Sequence, residues 1–164
     1  MESSESKIQE KLGLAIENHK NKKFQLAEKL YKEILALNKD HVEANYQLGT
    51  LYSQLQNFNL AKSLLAKAHK LSPNNPNINL HIGNLLLSTG EPSEAINYFE
   101  KVIQIQPNFS LAHFNKGITL YNQKKYYDAV KCFERVIEIE PNNINAYNVL
   151  GIIFQETGQF QKSL

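Results

Sequence analysis

The sequence predicts an all-α protein, a right-handed α-solenoid of antiparallel helix pairs that repeat every 34 residues. Three sets of residues, each spaced by 34 positions, carry this prediction. They are prolines, glycines and alanines: Pro73, Pro107 and Pro141; Gly49, Gly83, Gly117 and Gly151; Ala27, Ala61, Ala95 and Ala129. Self-similarity at a fixed period of this length is typical of repeat proteins, in which each unit packs on its neighbours.

Each repeat is predicted to be two amphipathic helices joined by a short turn. In the second repeat, apolar or small residues recur twice at helical spacing. The two sets are Ala44, Leu48, Gly49, Leu51, Tyr52 and Leu55, then Phe58, Ala61, Leu64, Leu65, Ala68 and Leu71. Only Gln56 and Asn57 separate them, and so short a connection requires antiparallel helices. Small residues on the facing sides let the backbones approach, because a larger side chain would hold the helices apart.

Proline, asparagine and glycine mark the helix ends. The three periodic prolines are expected to end the second helix of a repeat, because proline lacks a backbone donor and clashes with the preceding turn. Asn75 is expected to cap the following helix. Gly90 and Gly158 stand where a first helix ends, a position that often needs left-handed backbone.

These landmarks divide the chain into a tail and five units. The predicted divisions are a disordered tail over 1–7, repeat 1 over 8–41, repeat 2 over 42–75, repeat 3 over 76–109, repeat 4 over 110–143 and a truncated repeat 5 over 144–164. Repeat 1 has Lys39 in place of the proline and a polar Asn18 in place of an apolar residue. Such an atypical first unit is expected of an end cap.

These periodic sets of residues resemble the pattern of the tetratricopeptide repeat family, whose unit of about 34 residues has small, alanine, aromatic and proline positions in this order. The resemblance covers nearly the whole chain. It implies a solenoid in which the first helix of each pair lines a concave wall. A weaker likeness, carried by residues 15–54, is to bacterial arrays that precede glycosyltransferase or sulfotransferase domains.

Charge and cysteine content exclude several classes of function. The chain has 18 basic and 16 acidic residues, and Arg135 is the only arginine, which argues against a nucleic-acid binder. The single cysteine, Cys132, rules out an internal disulfide, so we expect a reducing, cytoplasmic location. The acidic N-terminus does not read as a secretory signal. The longest apolar run, over 149–154, is far short of the ~20 residues that span a bilayer, so we expect no membrane association.

No pattern of residues indicates catalysis. The sequence has no phosphate-binding loop, nucleophile elbow, paired cysteines or zinc-protease motif, and its five histidines fall in different repeat positions. Cys132 is interpreted as a semi-buried apolar thiol. We therefore expect a protein that is not an enzyme and that holds neither metal nor cofactor.

The candidate binding residues lie on the inner wall that the resemblance implies. They are Tyr46, Gln47, Thr50, His81, Asn84, Phe114, Asn115, Ile118 and Asn148. Amides can pair with the backbone of an extended peptide, and Tyr46 and Phe114 supply apolar anchors. The carboxylate clamp of chaperone-binding members is not reproduced, because its positions hold Leu12, Ile16, Tyr46, Thr50, Leu80 and His81. The alternative is that these residues form ordinary solvated helix faces.

The sequence thus favours a scaffold that binds a protein or peptide in a concave groove. One alternative is a recognition module that precedes an enzyme, such as a glycosyltransferase. Another is a structural protein that self-associates through its truncated C-terminal helix. There, Leu150, Ile153 and Phe154 are expected to be uncovered, because their partner helix is cut off soon after Phe160.

Overall fold

The computed structural model describes residues 4–158, and over this range it consists of nine α-helices without a strand. The helices are α1 Ser4–Lys20, α2 Phe24–Leu37, α3 Val42–Gln54, α4 Phe58–Leu71, α5 Pro76–Ser88, α6 Pro92–Ile105, α7 Ser110–Asn122, α8 Tyr126–Ile139 and α9 Ile144–Glu156. They form two compact units, unit 1 over Met1–Leu85 and unit 2 over Leu86–Leu164. Helices adjacent in sequence pack together, as α1 with α2, α3 with α4 and α7 with α8.

The N-terminal helix begins earlier than the sequence suggested. A disordered tail was expected over 1–7, but α1 begins at Ser4. Glu5 lies in its first turn, where a negative charge favours the helix dipole, and Ile8 is buried one turn later. The buried face of α1 therefore starts close enough to Ser4 to support the helix. Residues 1–3 lie outside the described range.

The helices end and begin where proline and asparagine were predicted to mark their ends. α4, α6 and α8 each end two residues before a periodic proline, as expected. Asn75 Oδ1 accepts hydrogen bonds from the backbone nitrogens of Asn77 and Ile78, at 3.0 and 3.2 Å, which confirms the predicted cap.

A left-handed residue ends the first helix of every pair. The backbone φ angle is positive at Lys22, Gln56, Gly90, Lys124 and Gly158, with values of 58, 59, 81, 59 and 71°. The two glycines were predicted, and the other three residues occupy the same position in their repeats. The turn is closed by a hydrogen bond that spans five residues, such as that from Lys125 N to Leu120 O at 2.9 Å.

We expect Lys124→Gly to stabilise the protein by ~0.5–1 kcal/mol, because a side chain strains left-handed backbone and glycine does not. Chemical denaturation of the two proteins measures the difference. The neighbouring Lys125→Gly is the control, since Lys125 has a φ of −87°, a backbone conformation that residues with a side chain adopt without strain. Glycine there should only destabilise, and stabilisation by both changes would refute the strain argument.

Polar side chains brace the turns between repeats, a device that the sequence analysis did not identify. Asn45 Nδ2 donates to the carbonyl oxygens six and four residues earlier, at 3.0 and 2.9 Å. Asn79, 34 residues later, makes the same two bonds at 2.9 and 2.8 Å. At the next equivalent position, His113 Nε2 lies 2.9 Å from the carbonyl oxygen of Pro107, so this nitrogen carries the proton. These bonds fix the entry of each first helix.

The core of unit 1 confirms the role of the small positions. Ala27 and Tyr31 of α2 have no exposed surface, and Leu65 of α4 is 1% exposed. A Cβ atom added to Gly49 would lie 2.8 Å from Leu65 Cγ and 3.3 Å from the Leu65 backbone nitrogen. Helices α3 and α4 therefore approach too closely for any side chain at Gly49.

The core of unit 2 lies between α7, α8 and α9. Its buried members are Leu120, Ala129, Cys132, Phe133, Val136, Ala146, Leu150 and Ile153. Leu150 and Ile153 are only 8% and 1% exposed, which differs from the uncovered stripe expected there. The reason is that α8 already covers them. The predicted second helix of repeat 5, from about Phe160, lies outside the described residues.

Candidate functional site

A cleft of about 350 Å³ opens in unit 1 and brings together four of the predicted binding residues. Side chains from α1, the turn after it, α2, α3 and α5 line it. They are Ile16, His19, Lys20, Lys22, Phe24, Tyr46, Gln47, Thr50, Gln54 and His81. Its size falls within the ~300–1,000 Å³ typical of ligand sites.

Tyr46 and His81 form one wall of the cleft. Their rings meet edge to face, with centroids 5.3 Å apart and planes at 84°. Burial, together with the charge of Glu43, raises the pKa of Tyr46 to about 12. Burial, together with His19, lowers the pKa of His81 below its usual value. Both side chains are therefore neutral at pH 7, so this wall offers aromatic surface and hydrogen-bonding groups rather than charge.

His81 has a hydrogen-bonding capacity that the fold leaves unused. Within the part of the chain that the structure describes, its imidazole contacts Tyr46 but forms no hydrogen bond. The ring nitrogens of His81 are not fully buried. Because His81 lines the cleft, a ligand in the cleft can reach them. A neutral imidazole can donate one hydrogen bond and accept another.

His19 is held more firmly on the opposite side. Its Nε2 atom lies 3.2 Å from Gln54 Oε1, and its Nδ1 atom lies 3.5 Å from the Tyr31 hydroxyl. The amide oxygen of Gln54 can only accept, so the Nε2 atom of His19 is the donor in this contact. The ring also meets Phe24 and Tyr31 edge to face, with centroids 6.0 and 6.1 Å apart.

Two of the predicted binding residues already have partners within α3. Gln47 Nε2 donates to Glu43 Oε1 at 2.7 Å. The Thr50 hydroxyl donates to the carbonyl oxygen of Gln47 at 2.8 Å, and Thr50 is 4% exposed. Thr50 was expected to contact a peptide, but its donor is used inside the helix. It contributes a wall to the cleft, while the amide oxygen of Gln47 stays able to accept.

Lys20 and Lys22 were missed as site residues. Neither forms an ion pair with any other residue in the range 4–158, whereas Lys11, Lys32 and Lys67 of the same unit pair with carboxylates. Lys20 ends α1 and Lys22 lies in the following turn, so they fall outside the helix face on which the prediction was made. The cleft is therefore basic at this end.

The remaining predicted residues do not line this cleft. Asn84 is half-buried on α5, three residues after His81. In unit 2, Phe114 and Ile118 pack against the core, and the rings of Phe114 and Phe133 are 5.5 Å apart at 76°. Phe114 is thus partly a core residue rather than a free anchor. Its outer edge lines a shallow pocket of about 190 Å³.

Asn115 and Asn148 are also in unit 2. Asn115 is half-buried on α7, and Asn148 is exposed on α9. The nine predicted residues are therefore divided between the two units.

Over residues 4–158, no group of three or more His, Cys, Asp or Glu side chains is arranged to hold a metal ion. In the same range, no helix has the length and apolar character needed to cross a membrane.

Comparison with known families gives matches along most of the chain. Three models described as tetratricopeptide repeat match it, one over residues 19–68 and 54–113, one over 110–143 and one over 132–164. No curated protein matches it by sequence.

Solved structures match the fold at low sequence identity. A crystal structure of MamA has a TM-score of 0.84 at 20% identity, covering 95% of this chain and 85% of that one. MamA from Desulfovibrio magneticus RS-1, from residue 41 to its end, scores 0.85 at 18%, covering 96% and 89%. YrrB, described as a TPR protein with an unusual peptide-binding site, scores 0.77 at 22%, covering 94% and 79%. These likenesses confirm the predicted fold class, an all-α solenoid of helix pairs.

Proposed function

The chain belongs to the tetratricopeptide repeat family, and on that premise we propose that it is a protein-interaction scaffold whose unit 1 binds an extended segment of another protein. The observation that carries the proposal is the cleft, which gathers Tyr46, Gln47 and His81 from two helices. Repeat proteins of this kind act through preorganised surfaces.

The cleft offers the two kinds of contact that an extended peptide needs. Ile16, Phe24 and Tyr46 provide apolar surface for side chains. The His81 imidazole and the Gln47 amide oxygen can bond the peptide backbone, whose donors and acceptors would otherwise lose their water partners. The solved YrrB is described as having a peptide-binding site, and a comparable activity is proposed here.

We expect Tyr46→Ala to weaken peptide binding by ~1–2 kcal/mol, about 5- to 30-fold, because it removes the largest ring of the cleft. The ligands are short random peptides displayed between two protein domains, selected on the wild-type chain and then measured by titration calorimetry. Tyr46→Phe keeps the ring and should bind nearly as well as wild type.

The matched control is Tyr127→Ala, the same substitution at a tyrosine that is 74% exposed in unit 2. It should leave the affinity unchanged. If no displayed peptide is enriched over empty beads, or if Tyr127→Ala weakens binding as much as Tyr46→Ala, the proposed site is wrong.

Self-association is a second candidate, and the exposed apolar residues of α9 favour it. Ile144, Tyr147 and Ile152 are 72%, 51% and 45% exposed. Several large exposed apolar groups on one helix are typical of an interaction surface. Sedimentation at increasing protein concentration tests it, and a constant monomer mass would contradict it. A role as a recognition module that precedes an enzyme, a cytoplasmic location and the absence of nucleic-acid binding stay predictions.

A further inference from the structure

We propose that the cleft of unit 1 selects an internal acidic side chain, Asp or Glu, that lies next to an apolar residue in the bound segment. This inference rests on the proposed function and specifies the ligand of the same cleft. The bound group is the carboxylate of a side chain and not that of a chain end.

The cleft is positively charged. The lining includes Lys20 and Lys22, and none of the described residues that line the cleft is acidic. The nearby carboxylate of Glu43 is bonded to the amide nitrogen of Gln47, at 2.7 Å. A concave surface with cationic groups and no lining anion attracts a negative ligand and repels a basic one.

Within residues 4–158, the two cleft lysines differ from several other lysines of unit 1, which pair with carboxylates. In unit 1, the Nζ atoms of Lys11, Lys32 and Lys67 lie 2.5, 2.6 and 3.2 Å from a carboxylate oxygen of Glu33, Glu28 and Asp40, respectively. Lys20 and Lys22 lack such a carboxylate among the described residues. An incoming acidic side chain would therefore gain an ion pair without breaking an existing one.

Polar and apolar groups lie together within the small volume of the cleft. The His81 ring can donate a hydrogen bond to a carboxylate, which makes the contact directional. Ile16, Phe24 and Tyr46 line the same cleft, so a residue beside the acidic one would meet apolar surface. An acidic residue with an apolar neighbour matches both parts of the lining.

The test uses the full chain and the displayed random peptides, whose two ends are joined to protein so that no terminal carboxylate is present. Peptides selected on the wild type should be enriched about fivefold in Asp or Glu next to an apolar residue. A selected peptide with its acidic residue changed to Asn or Gln should bind about fivefold more weakly at low salt, and the difference should shrink at high salt.

The double variant Lys20→Gln, Lys22→Gln should lose most of this preference. Glutamine is compatible with the left-handed backbone at Lys22, because Gln56 adopts the same conformation with a φ of 59°. The matched control is Lys29→Gln, Lys70→Gln, which removes the same charge from two exposed positions of unit 1 outside the cleft. It should keep the preference.

The outcomes separate this inference from the proposed function. Enriched peptides without acidic residues that still depend on Tyr46 would overturn the acidic preference and leave the binding function intact. Equal loss of preference in both double variants would overturn the assignment to the cleft. The absence of any enriched peptide would overturn both proposals.

Discussion

Gly49→Leu is expected to destabilise the protein by about 3 kcal/mol, because α3 and α4 cannot move apart without opening the core of unit 1. Even the first added atom would lie 2.8 Å from Leu65 Cγ and 3.3 Å from a backbone nitrogen, which cannot rotate away. Leu65 is itself 1% exposed and has no open space to enter. Urea denaturation followed by circular dichroism measures the change.

The control is the same substitution at Gly13, in the middle of α1. An added Cβ atom there would meet nothing within 4 Å among the described residues, and Gly13 is exposed. Leucine is a better helix former than glycine, so Gly13→Leu should stabilise the helix by up to ~1 kcal/mol. Opposite signs at the two glycines are the expected result. A similar loss of stability at both would show that the α3–α4 contact is not the cause.

Phe133→Ala is expected to cost ~3–5 kcal/mol, because it removes a fully buried ring and leaves a cavity. Phe133 lies at the centre of the unit 2 core, against Phe114 and beside Gly117, where an added Cβ atom would be 2.9 Å from its Cζ atom. Thermal unfolding and chemical denaturation both measure the loss.

Leu111→Ala on α7 serves as the control for this change. Leu111 is 49% exposed, so the substitution should cost less than about 1 kcal/mol. Equal costs at Leu111 and Phe133 would contradict the packing described for unit 2. Phe114→Ala should fall between the two, since its ring is only partly buried.

The repeat geometry could be predicted from the sequence because it depends on residue size at fixed spacing. Gly49 and Gly117 marked the close approaches between paired helices, and the periodic prolines marked the helix ends within two residues. Helical periodicity and proline chemistry act locally along the chain. A single sequence therefore contains the information needed to place them.

The site was only partly predictable, because its members meet in space and not in sequence. His19 and His81 occupy different repeat positions, yet they line the same cleft. Lys20 and Lys22 lie at a helix end, outside the face that helical periodicity selects. The bracing residues Asn45 and Asn79 did carry a signal, since they are 34 residues apart, but polar residues were assumed to face solvent.

Phe114 shows the opposite error. Phe114 lies between the repeat positions that were predicted to form the core, so its side chain was expected to be exposed. Its aromatic ring is nevertheless long enough to reach Phe133 on the neighbouring helix. Position on a helix therefore predicts the burial of small side chains better than that of large ones. The predicted anchors in unit 2 are shared between core and surface for this reason.

The buried cysteine of α8 can be used to measure local unfolding of unit 2. Cys132 is 7% exposed, and burial raises the pKa of its thiol above the usual value. Both features slow its reaction with alkylating reagents, which attack through the thiolate. The chain has a single cysteine, so all labelling occurs at this residue. The labelling rate therefore measures how often this region of unit 2 unfolds, without an introduced probe.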